Sequence, residues 1–166
     1  MIIGSRLRFA SPAFFMLQPI VIEIKQLVIL HLLVTAALTG LIWVVQLVHY
    51  PGFRYIDHTQ FNDFQRHHMQ SISYIVAPLM LAEVAFTVWL QIEFWNKSEV
   101  YLATIASVLL MVVWVVTFSI SAPIHGKLAT DGYDRQLINK LVSTNWIRTF
   151  AWSARAGILV IISLRL

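Results

Sequence analysis

The chemistry open to this chain rests on six histidines, a glutamate enclosed by apolar residues, and two arginines within an apolar run. Imidazole exchanges protons near neutrality and, when neutral, ligates transition metals. A carboxylate held away from water can act as a base or a ligand, and a guanidinium clamps oxyanions. Cysteine is absent, which removes disulfides, thiolate-ligated zinc and cysteine-bound iron–sulfur clusters. The chain also lacks a glycine-rich phosphate loop, a GxSxG elbow, an HExxH motif and any pair of histidines four residues apart.

The elements that must position these groups are membrane-spanning helices. A soluble domain carries roughly 25% charged residues. Here 12% of the 166 residues are charged, 58% are apolar or aromatic, and the mean hydropathy is +0.73. Four apolar runs, 27–48, 71–92, 100–122 and 146–164, each approach the length of about 20 residues that crosses a bilayer as a helix. The pattern predicts an all-α integral membrane protein, a four-helix transmembrane bundle with short interfacial helices in the two long loops, 51–70 and 123–145. The net charge of +4 comes from basic residues scattered over loops. That distribution sets topology and meets lipid headgroups, so no nucleic-acid partner is expected. With residues 1–15 set aside, basic residues favour the long loops and place them on the cytoplasmic side of a bacterial inner membrane.

Residues 1–25 hold Arg6 and Arg8 ahead of an apolar stretch broken by Pro12 and Pro19. They read as an N-terminal interfacial segment or an upstream extension, with Met16 as an alternative start. Residues 26–166 form one domain, in which no internal repeat is visible.

Tracing the ends of the runs brings the polar residues together. The first run ends at Gln46, His49 and Tyr50, and the second starts beyond His67 and His68. The third leads into Ser121 and His125, and the fourth opens with Asn145 and Arg148. All these ends lie on the long-loop side, so five of the six histidines share it and His31 is the exception. Gln46 and His49, three apart, share a face of an ideal helix. Asn145, Arg148, Trp152 and Arg155 form one inward stripe. From His68 to Glu83 the net rotation is about 60°, against about 160° from His67, so His68 faces inward with Glu83. Ionisable groups at membrane depth need partners, and the depths of Glu83 and Arg155 predict a pair between them.

The candidate metal ligands are therefore His49, His68, His125 and Glu83, with iron, copper or zinc as the ion, or a haem in its place. Gln46, His49 and Arg155 are candidate cofactor contacts; Glu83, Arg148 and Asn145 are candidate catalytic groups. Each histidine alone is equally explained by hydrogen bonding to headgroups or loop carbonyls.

The segments 40–51, 78–83, 123–125 and 144–149, with Trp152 and Arg155, resemble a family of small four-helix bacterial membrane proteins that has no assigned activity. The Asn145-x-x-Arg148-Thr149 end is also distantly similar to anthrone-oxygenase-like membrane proteins, which implies oxidation of aromatic polyketides. Leu30-His31-Leu32 followed by Gly40 faintly resembles haem proteins of the protoporphyrinogen oxidase type. Two classes of function follow. One is a metal- or haem-dependent oxidoreductase acting on a lipophilic small molecule that enters from the bilayer. The other is a non-catalytic accessory or assembly subunit, or a small-molecule binder, working as a homo-oligomer or with partner membrane subunits.

Overall fold

A computed structural model describes residues 23–166; most of the N-terminal segment 1–25, with the alternative start Met16, lies outside the described residues. Four long helices fill the described chain: α1 Ile24–Tyr55, α2 Phe61–Glu93, α3 Val100–Asp131 and α4 Arg135–Arg165. Each is long and apolar enough to cross a membrane, and no strand occurs among the described residues. This is the all-α, multi-pass bundle expected. The helical turns of the two long loops are extensions of the spanning helices. In particular α4 runs unbroken from Arg135, because Asp134 caps it by accepting from the amides of Gln136 (2.7 Å) and Leu137 (3.1 Å).

The turn into α4 needs Gly132. Its φ of 91° is costly for any other residue, and a Cβ there would stand 2.8 Å from Asn62 Oδ1. In the shorter loop, Asp57 Oδ1 accepts from the Thr59 hydroxyl (2.6 Å) and amide (2.8 Å). Those bonds, the hydroxyl first, hold the Asp57 carboxyl below its ordinary range.

Each helix packs against two neighbours in the order α1–α2–α3–α4–α1, so α2 and α4 face each other across a diagonal. Large apolar side chains such as Leu33, Val48, Ile92 and Met111 are exposed on the outside, as lipid contact requires. The apolar interior has two parts. One, around Leu38, Ile42, Phe53, Phe61 and Leu141, lies toward the long loops. The other, around Val28, Leu90, Phe94 and Leu159, lies at the opposite end. Ala103 and Ala106, both buried, are the small residues on α3 that let it approach α4 closely.

Between these parts sits the pair that the depths of its two residues predict. Arg155 Nε donates to Glu83 Oε1 at 3.2 Å, and both side chains are 0% exposed. The carboxylate also accepts from Thr35 Oγ1 (3.0 Å) and Trp152 Nε1 (3.0 Å). The guanidinium further donates to the Ala106 carbonyl, to His31 Nε2 (3.2 Å) and to Thr87 Oγ1 (3.1 Å). No charge or lone pair of this cluster faces lipid.

Two irregular turns recur along the chain. Both α1 and α3 widen into a π-helical turn, Val45–His49 and Thr117–Ser121, and in each a proline follows two residues later. Proline has no N–H and its ring crowds the carbonyl four residues back, a conflict that a wider turn relieves. Pro51 and Pro123 are 72 residues apart, and Glu83 and Arg155 are separated by the same 72 residues. The π turns and the ion pair thus share one spacing along the chain, with the ion pair joining helices that face each other across the bundle.

Replacing one partner of this pair leaves the other charged, buried and unpaired. Glu83→Gln and Arg155→Leu are each expected to lower stability by about 3–5 kcal/mol, with the double variant losing clearly less than the sum. Denaturant unfolding in detergent micelles measures this; strictly additive losses would contradict the coupling.

Candidate functional site

The long-loop end of the bundle assembles a second polar group from all four helices. The π turn of α1 is what distributes its side chains. In a regular helix Gln46 and His49 would share a face, but the wider turn rotates them apart. Gln46 reaches α4, donating to the Val142 carbonyl (3.1 Å) and accepting from Asn145 Nδ2 (2.8 Å). His49 reaches α2, where its Nε2 lies 2.9 Å from His68 Nδ1. Tyr50, next in sequence, points into the centre.

From Tyr50 the network continues in both directions. Its hydroxyl oxygen lies 2.9 Å from His125 Nε2 and accepts from Arg148 at 3.1 Å. Gln65 Nε2 lies 2.5 Å from His125 Nδ1, so both ring nitrogens of His125 are engaged. Arg148 also donates to Asn145 Oδ1 (2.5 Å) and, at 3.4 Å, to Thr117 Oγ1.

Beside this network lies a cavity of about 510 Å³, within the range of small-molecule sites. Its apolar walls come from α1 (Leu41, Ile42, Val45), α2 (Ile72, Val76, Met80) and α3 (Trp114, Phe118), with Trp152 of α4 as the floor. Tyr50, His68, Ser121, His125 and Arg148 line its polar end. The lining residues Ser73, Ala77 and Leu81 of α2 and Phe118 and Ala122 of α3 are exposed, so the mouth opens sideways between these two helices. Three lining residues have buried polar atoms without a protein partner: Arg148 Nε, Trp114 Nε1 and Ser121 Oγ.

Several expected site residues do come together. His49, His68, His125, Gln46, Asn145 and Arg148 all belong to this end, and His68 is buried where His67 is exposed. The His68 and His125 rings lie 5.4 Å apart, centre to centre. Glu83 and Arg155 do not join them. Glu83 lies fifteen residues along α2 from His68, about 22 Å of helix, and both its oxygens are occupied in the deeper cluster. The four-ligand set of His49, His68, His125 and Glu83 is therefore not assembled. Among the described residues no three His, Cys, Asp or Glu side chains converge so as to hold a metal ion. His49 Nε2 and His68 Nδ1 face each other, and both nitrogens of His125 are engaged.

The two remaining histidines lie outside this group. His31, the exception among the histidines, is fully buried against Arg155 and Thr87. His58 stacks on Tyr133 at 3.9 Å in the loop layer, away from the cavity. Sequence reasoning overlooked Gln65, Trp114, Thr117 and the pivotal role of Tyr50. Gln65 carried a usable signal, since it stands three residues before His68 and so shares its face of α2.

No protein-family model, no curated protein and no solved structure matches the chain. The site therefore stands on its own geometry.

Tyr50→Phe removes the one oxygen shared by His125 and Arg148. It is expected to cost about 1–3 kcal/mol, whereas His67→Ala on the exposed face should stay within about 0.5 kcal/mol. Unfolding of both variants in detergent tests the difference, and equal effects would deny Tyr50 its pivotal place.

Proposed function

We propose that this protein binds a lipophilic small molecule drawn from the bilayer, in the cavity between α1, α2 and α3. The observation that supports this most is the combination of apolar walls, a sideways mouth facing the lipid, and a polar end lined by Tyr50, His68, Ser121, His125 and Arg148. An apolar cavity with a few convergent polar groups is the usual form of a small-molecule site.

The physics of a membrane site sharpens the reading. A hydrocarbon tail moving from lipid into an apolar cavity gains little, because lipid is as apolar as the walls. Selectivity then comes from shape and from hydrogen bonds, which are strong where water is excluded. Residues of all four helices supply those bonds, so the polar end is preorganised. Arg148 is held by Asn145 and Tyr50, and Tyr50 by His125, before any ligand arrives. Binding is the reading that the cavity supports, and among the described residues no three His, Cys, Asp or Glu side chains converge beside it to hold a metal ion.

Ala77→Trp places a large ring at the mouth, on the exposed edge of α2 where it need not disturb the interior. Protein purified in a mild detergent is expected to carry a small molecule detectable by native mass spectrometry and solvent extraction. The Ala77→Trp variant should lose it without loss of thermal stability. Identical extracts from the two proteins would overturn the reading.

A further inference from the structure

We infer that the molecule taken up by the cavity carries an oxyanion head, a carboxylate or phosphate on a single apolar tail, and that Arg148 is its counter-ion. This rests on the cavity being a ligand site, and deepens that reading to a chemical class.

The argument starts from charge. The chain has eight acidic residues, and all eight lie in the described part. The ion pairs they form among the described residues use Arg66, with Asp63, and Arg155, with Glu83. Arg148 has no such partner. Its hydrogen bonds go to Asn145, Tyr50 and Thr117, which are all neutral. Yet it is only 7% exposed, two residues into the apolar run 146–164. An enclosed cation is costly, and a side chain so buried cannot relieve the cost by reaching up to the headgroups. The chain meets the same problem at Arg155 and solves it with a carboxylate. At Arg148 it supplies a cavity instead.

The lining holds no acidic residue, and its polar end sets the hydroxyls of Tyr50 and Ser121 beside the Arg148 guanidinium. A head placed there meets donors and, to neutralise the guanidinium, is negatively charged. The apolar walls and the lateral mouth set the rest of the molecule: one hydrocarbon chain, entering from the lipid.

The test measures binding of palmitate, hexadecyl phosphate and hexadecanol to the detergent-purified full chain, with wild type and Arg148→Gln in parallel. One or both oxyanions are expected to bind the wild type about tenfold or more tightly than the alcohol, with that preference abolished in Arg148→Gln. Which oxyanion binds tighter tells a fatty-acid-like ligand from a lipid-phosphate one. Equal binding of all three probes by the wild type would overturn the anion assignment while leaving the cavity a lipophilic site, and so would a preference that survives Arg148→Gln. Saturable binding of none would overturn both. The wild-type comparison decides even if Arg148→Gln does not fold, and Ser121→Ala, a smaller change, should weaken the preferred oxyanion several-fold without weakening hexadecanol.

Discussion

A carboxylate and a guanidinium held at membrane depth leave a helical bundle very few arrangements. Glu83 and Arg155 cannot face lipid, so α2 and α4 must both turn these positions to the centre, and α1 and α3 must flank them. Thr35, Thr87, His31, Trp152 and the Ala106 carbonyl then complete the shell, one or more groups from each helix. The rotation of every helix is thereby specified by polar contacts, in a solvent where apolar packing alone specifies it weakly. The two charges meet from helices that face each other across the bundle, so one contact constrains both.

With the centre satisfied, chemistry is displaced to the long-loop end. The contrast between the two inward arginines of α4 expresses this. Arg155 is enclosed by acceptors and matched by a carboxylate, which is the mark of a structural group. Arg148, seven residues earlier on the same stripe, has neutral partners, an unpartnered Nε and a cavity beside it. The deeper cluster holds the bundle together, and the shallower one is built to receive something.

The paired π turns explain how so many polar side chains reach one place. Each is associated with a proline two residues on, and each changes which residues of its helix look inward. In α1 the wider turn sends Gln46 to α4, His49 to α2 and Tyr50 to the middle. In α3 it places Ser121 and His125 on the cavity. A regular helix would have spread these residues over fewer neighbours, and the network that preorganises Arg148 would not close.

Much of this was already written in the sequence. Four apolar runs of spanning length, the polar residues gathered at one set of helix ends, the inward stripe of α4 and the pairing of Glu83 with Arg155 all follow from counting residues. A helix converts residue number into depth at a constant rise, and membrane depth makes buried charge expensive. What counting could not supply is rotation after an irregular turn, and the identity of the neighbour across the bundle. So the tertiary structure alone separated Glu83 from the histidines and brought His31 to Arg155. It also made Tyr50 the hub, showed the two π turns, and opened a cavity next to an arginine without a carboxylate. Depth is a property of one helix; a site with an unfilled place in it is a property of four.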